Sequence, residues 1–390
     1  MSPTASLEAG FSKENITPPI GTRMMGWRNR DEASGCKAIH DPLFVRALFL
    51  KQASENILVL AYDLCFIGRI DCDRLKSALG TGLNLQPRQI LISSTHNHAG
   101  PAAWGYPAGV YDQPDSKYLD QLHAATLRAA NAAKIAARPA RLSAGTGKST
   151  IPMNRRCNVN GAILNAPNPG GVINSVLPVC RFTDLQDHVI ALVFSIATHP
   201  VVMRGWNISA DYPGVAVDQL GTDSAMFLQG TGADSRPALL ANGSEWNWDS
   251  GWKEALAIGQ TLADEVRRVP LQSVQPQLGA DLREMVWPLQ NGGHCPVWLH
   301  GIQLGTDLRF VALEGEPVAA HGLAIQKFYP NGTTFALGYA NGPAMYLVTS
   351  AMLDEGGYEP TSFGEYGFPA PLAKGMEHLL ETGLQELKIK

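Results

Sequence analysis

Cysteine is sparse in this chain of 390 residues. Its six cysteines (Cys36, Cys65, Cys72, Cys157, Cys180, Cys295) lie far apart and form no C-x-x-C pair. That excludes a disulfide framework and a zinc-finger pattern, and small buried thiols in a reducing compartment are the ordinary reading. Long apolar runs are missing too: no stretch of roughly eighteen or more apolar residues marks a transmembrane helix. Nor does charge of one sign accumulate. Lys and Arg number 31 against 35 Asp and Glu, for a formal net charge of −4. The basic residues are scattered, so no nucleic-acid partner is expected. The amino terminus has neither a basic start nor an apolar stretch and does not read as a signal peptide. A cytoplasmic chain is expected, or an exported one whose signal has been removed.

What is present is a core. The hydrophobic fraction is 45% and the charged fraction 17%, a globular balance. Three times, two apolar runs flank a polar turn: 45–50 with 57–62, 176–182 with 189–197, and 299–304 with 308–313. Each reads as a β-hairpin of buried strands. Further strands are expected at 89–94 and 333–339, and helices at 116–137, 214–221, 252–268, 317–328 and 371–387. The Gly- and Pro-rich stretches 100–115 and 158–171 read as surface excursions. The expected fold is α/β (α+β): a mixed β-sheet core with hairpins, flanked by helices, with chemistry at the strand ends. No linker interrupts it, so one domain over 1–390 is expected.

Histidine is scarce, ten in all, and its placement is informative. In Thr95-His96-Asn97-His98 the two imidazoles, spaced i and i+2 on extended backbone, face one pocket. Two such rings suit a metal, or a metal ligand beside a proton carrier. His199 ends another apolar strand in the similar context Thr198-His199-Pro200. Zinc held by two imidazoles calls for an anionic ligand, and Glu316 in Gly-Glu-Pro is the candidate, with Glu314 its neighbour and competitor. For one ion to be shared, the nearest nitrogens of His96 and His199 must lie within about 5 Å.

Further segments extend the pattern: Asn15-Ile-Thr-Pro-Pro-Ile-Gly21 with Met25-Gly26-Trp27, Arg46-Ala-Leu, Asp63-Leu64, Asn154-Arg155 and Ser209-Ala-Asp-Tyr-Pro-Gly214. Gln229-Gly-Thr-Gly-Ala-Asp234, Asn341 to Thr349 and Gly357-Tyr-Glu359 follow. With these motifs in order over nearly its whole length, the chain resembles the amino-terminal catalytic domain of the neutral/alkaline (non-lysosomal) ceramidase family. The resemblance implies one catalytic Zn²⁺ on His96, His199, Glu316 and Tyr346, the last matched by motif with Pro343 in place of a first tyrosine. It further implies His98 as proton shuttle and Arg155 and Tyr358 as hydrogen-bond donors to a developing oxyanion, for water-driven cleavage of an amide in an N-acylated small molecule.

The chain also departs from that family. Arg236 stands where the family has serine, and Ser235, shifted by one, has no visible base, so a serine nucleophile is poorly supported. With the sequence ending at Lys390, the family's carboxy-terminal β-sandwich is expected to be absent. Trp27, Trp104 and Trp206 sit beside the motifs as candidate pocket residues, and Arg204 as a candidate contact for an anionic group. The Trp246–Trp252 segment reads equally as a lid or as an anchored loop. Two other readings stay open: a zinc esterase or lactonase on a polar or cyclic substrate, and a catalytically silent binding protein. A second metal near Asp211 or Asp234, and homo-oligomerisation, are likewise open.

Overall fold

The computed structural model describes residues 6–27, 35–105, 107 and 113–389. Part of the 100–115 stretch lies outside the described residues.

Each of the three hairpins expected from the sequence forms, and each is the nucleus of a sheet. Phe44–Gln52 pairs antiparallel with Glu55–Tyr62, Val176–Thr183 with Val189–Ile196, and His294–Gly305 with Leu308–Leu313. Every second strand then gains a parallel neighbour after a crossover helix. Ile90–Ser94 follows helix Arg69–Leu83, Ala225–Gln229 follows Asp211–Gln219, and Thr333–Leu337 follows Ala319–Phe328. The result is two five-stranded sheets and one four-stranded sheet, each mixed, with smaller ladders around them. The expected α+β class with mixed sheets and flanking helices is what the chain adopts.

These strands read as apolar runs because both faces are buried. Along Glu55–Tyr62, Leu58, Leu60 and Tyr62 join an outer cluster with helices Arg69–Leu83 and Ser116–Ile135, while Val59 and Ala61 point into a central cluster. That central cluster takes Leu48 and Leu91 from the first sheet, Phe182 and Met226 from the second, and Phe310 and Phe335 from the third. The three sheets therefore share one interior. Bridges Ser93↔Ala340 and Gly230↔Leu337 tie the ends of the three parallel strands to one another.

Several boundaries move. Trp252–Arg268 is helical as expected, but the second helix begins at Asp211, because Pro213 falls in its first turn, where a missing N–H costs nothing. Glu316 and Pro317 form a short strand, so the next helix begins at Ala319. The last helix is confined to Met376–Glu386. The stretch 158–171 is not an irregular excursion: most of it belongs to an antiparallel hairpin, Pro152–Val159 with Ala162–Asn168. All six cysteines are free, and no described helix is long and apolar enough to cross a membrane.

Candidate metal centre

Strand ends deliver the candidate ligands. His199 follows Ile196 and Glu316 follows Leu313 by the same short step, while His96 lies just past Ser94 in the left-handed backbone region at φ 63°. A non-glycine residue held there is a strained placement of the kind that marks functional sites. His96, His199 and Glu316 come together fully buried, their ligand atoms all within 4.8 Å of one another. Nε2 of each histidine lies 3.4 Å from Oε2 of Glu316.

The far side of each ring is fixed. Nδ1 of His96 bonds the Cys65 carbonyl at 3.1 Å and Nδ1 of His199 the Gly232 carbonyl at 2.8 Å, which directs both Nε2 atoms inward. The carboxylate is oriented in the same way, since Oε1 of Glu316 accepts from the Tyr366 hydroxyl. Nε2 of His199 and Oε2 of Glu316 are buried without a hydrogen-bond partner among the described residues. Buried polar atoms are rarely left so, and two that converge on a third donor fit a cation.

Electrostatics fit as well. Burial, reinforced by the Arg155 charge, pushes His199 down to about 4, so its imidazole is neutral at neutral pH, the form that binds metal. Burial opposes the charge on Glu316, yet the two imidazoles hold its carboxyl well below the usual range. Cys65, His96 and His98 also lie close together, but Cys65 approaches Nδ1 of His96 and His98 approaches Nε2, opposite edges of one ring.

Tyr346 sits beside Glu316 because the two residues are partners in a short parallel ladder, Glu316–Pro317 with Tyr346–Leu347. Its hydroxyl accepts from Nη2 of Arg155 at 3.2 Å, and burial, together with the Glu316 charge, raises it well above the usual phenol range. Arg155 is buried, with Nε on Oε1 of Glu359 at 2.8 Å. His98 reaches Nε2 of His96 at 3.1 Å with its own Nε2. It stands there because Gly26 leaves room: a Cβ on Gly26 would meet Cγ of His98 at 2.5 Å. The Tyr358 hydroxyl donates to Glu365 at 3.3 Å.

A cavity of about 720 Å³ opens above this centre, and His98, Arg155, Tyr346 and Tyr358 line it. Trp27, Arg204 and Trp206 line it as well. Trp104 does not. It stacks on Tyr366 at 6.0 Å and meets Phe66 edge-on, so its place is behind Glu316 and not against a ligand. Glu314 is drawn away, accepting from Nε of Arg69 at 2.9 Å and from the Trp298 amide. Asp211 and Asp234 spend their oxygens on protein donors, Asp211 on the amides of Val202, Met203 and Tyr212, and Asp234 on the Ala319 amide and Asn154. The buried Ser235 hydroxyl has no hydrogen-bond partner among the described residues, so no base activates it. Trp246 is buried, and its indole donates to Asn165, while Trp248 and Trp252 are exposed.

Four residues of the site had no assigned role in the sequence reading: Tyr366, Tyr339, Glu359 and Arg236. Tyr339 stacks on His96 with centroids 4.2 Å apart. Glu359 lay within a quoted motif, Gly357-Tyr-Glu359, which was its one available signal. Tyr366 had none.

Two solved structures share this architecture. A crystal structure of neutral ceramidase from Pseudomonas aeruginosa matches with a TM-score of 0.79 at 16% identity, covering 98% of this chain and 73% of that one. A ceramidase complexed with C2 matches with a TM-score of 0.78 at 16% identity, covering 98% and 74%. No protein-family model and no curated protein matches the sequence. At this identity the likeness is one of fold.

Proposed function

We propose that this chain is a zinc-dependent hydrolase that cleaves the amide bond of an N-acylated small molecule with water. The observation that carries the reading is the pair of orphaned buried atoms, Nε2 of His199 and Oε2 of Glu316, aimed at the point where Nε2 of His96 also arrives. Two imidazoles and a carboxylate, with Tyr346 at their edge, are a donor set suited to Zn²⁺ with a position left for chemistry. The fold shared with two ceramidase structures supports the same class of reaction.

When bound there, such an ion supplies Lewis acidity toward a carbonyl and lowers the pKa of water. The chain's own residues do the rest. His98, which lines the cavity and touches His96, accepts a proton from the attacking water and delivers it to the departing amine nitrogen. Arg155, fixed by Glu359, donates through its guanidinium to the oxygen that gains charge as the carbonyl becomes tetrahedral, and Tyr358 donates beside it once its hydroxyl turns from Glu365. The cost of ordering these donors is met in folding, not during the reaction.

Metal analysis of the purified protein, with hydrolysis of a panel of acyl amides, lactones and esters with and without chelator, tests the proposal. The expected result is about one zinc per chain and chelator-sensitive amide cleavage. Replacing His98 with alanine is expected to slow amide cleavage by about 10²–10⁴-fold and cleavage of an activated ester far less, because a good leaving group needs no proton. Equal losses on both would remove His98 from its role, and a protein without metal or hydrolysis would remove the enzyme.

A further inference from the structure

Arg236 lines the same cavity from the short strand Ser235–Pro237, and it is 2% exposed. Its Nε and Nη2 are buried with no hydrogen-bond partner among the described residues. Its guanidinium lies instead over aromatic faces, 4.5 Å from the centroid of Trp248 and 5.2 Å from that of Trp246. Arg204 mirrors it across the pocket wall, 3.9 Å from the centroid of Trp27 and 4.7 Å from that of Trp248, with its Nε also unpartnered. Trp248 is thus shared between two cations.

A buried guanidinium without an anion is costly, because desolvation is not repaid by a counter-charge. Burial, and then the charges of Arg155 and Arg204, push Arg236 down to about 9, which leaves it charged at neutral pH. Arg155 differs, being matched by Glu359. One end of the cavity therefore holds the proposed hydrolytic groups, and its wall holds Arg236 with Nε and Nη2 unspent and Arg204 with Nε unspent. Guanidinium stacked on indole is well suited to receive a carboxylate through two parallel hydrogen bonds.

We infer that Arg236, with Arg204, forms an anion subsite, and that the substrate is an amide carrying a carboxylate a few bonds from the scissile C–N bond. This rests on the hydrolase reading for its reaction and on the arginine geometry for its substrate class. A long uncharged acyl amide would leave the buried fork of Arg236 unpaired.

Matched substrates test it. One pair, N-glutaryl and N-pentanoyl anilide, places the charge on the acyl side, and the other, N-pentanoyl-β-alanine and N-pentanoyl-propylamine, places it on the amine side. The carboxylate member of at least one pair is expected to have a kcat/KM higher by on the order of 10- to 100-fold, the range of hydrogen bonds to charged groups. That ratio is expected to fall toward one in Arg236→Gln and to recover in part in Arg236→Lys. Ratios near one in the wild type, or unchanged in Arg236→Gln, overturn the subsite. A second measurement needs no turnover: glutarate, and not neutral glutaramide, is expected to change the tryptophan fluorescence of the wild type saturably. Absence of that change also overturns the inference. The same titration on His199→Ala separates the two readings. Glutarate binding there, with no amide cleaved by the wild type, keeps the subsite and removes the amidase, whereas hydrolysis without charge preference does the reverse.

Discussion

At the scale of single residues, the candidate centre depends on what each candidate ligand does with its second polar atom. Both histidines spend Nδ1 on a backbone carbonyl, and Glu316 spends Oε1 on Tyr366. Such outer contacts commonly carry 10–100-fold in metal affinity. Tyr366→Phe is therefore expected to weaken zinc binding by about that factor while the fold persists, as read by competition with a chromophoric chelator. Unchanged affinity would show that the hydroxyl does not orient the carboxylate. This contact was invisible in the sequence for a plain reason: Tyr366 and Glu316 are 50 positions apart and no local pattern links them. His96 and His199 were legible because each follows an apolar strand and a threonine. Arg236 was legible as a departure from a motif, but its meaning needed the aromatic faces of Trp246 and Trp248.

At the scale of elements, the decisive device is a β-bulge. The register of Pro152–Val159 against Ala162–Asn168 shifts between Asn154 and Arg156. A bulge re-aims side chains that would otherwise alternate. Arg155 and Arg156, consecutive in sequence, thus both reach Glu359, at 2.8 and 2.6 Å, and join this strand to the short helix Tyr358–Thr361. Burial works against the charge of Glu359, but Arg155 and Arg156 outweigh it and hold the carboxyl below its usual 4.5. With the folded value depressed, the link stabilises the protein fully above the unfolded value and is lost as pH falls through the folded one. Glu359→Gln is expected to cost about 3 kcal/mol near neutrality, since buried Arg155 loses its carboxylate while Arg156 keeps Glu355 at 3.0 Å. It is also expected to flatten the fall in melting temperature below about pH 4.5. A variant that melts in acid as steeply as the wild type would contradict this. The hairpins were legible because buried strands are apolar and their turns are not. Helix Arg69–Leu83 was missed although Cys72, Leu75, Lys76, Leu79 and Leu83 keep helical spacing, because its N-cap is a glycine with no capping side chain and two glycines dilute its end. The crossovers that convert three hairpins into three sheets depend on packing between segments, which periodicity does not encode.

At the scale of the whole molecule, the three hairpin units are equivalent in more than topology. Three residues beyond each second strand stand Cys65 after Tyr62, His199 after Ile196, and Glu316 after Leu313. His96 and Tyr339 likewise lie two residues beyond the parallel strands of their units, both with positive φ, at 63° and 55°, and they stack. The candidate ligands therefore come one from each sheet: His96 from the first, His199 from the second, Glu316 from the third. An ion held by all three would clamp the sheets at the ends where isolated bridges also join them. Binding to the folded chain and not to the unfolded one stabilises by mass action, by on the order of 4 kcal/mol at a thousandfold excess over Kd. The melting temperature is therefore expected to fall by several degrees when chelator strips the wild type. His199→Ala is expected to start from the lower value and to ignore the chelator. Were wild type and His199→Ala to lose the same amount on chelation, the stabilising ion would sit elsewhere, and the three sheets would be held by their shared apolar interior and the bridges at their strand ends.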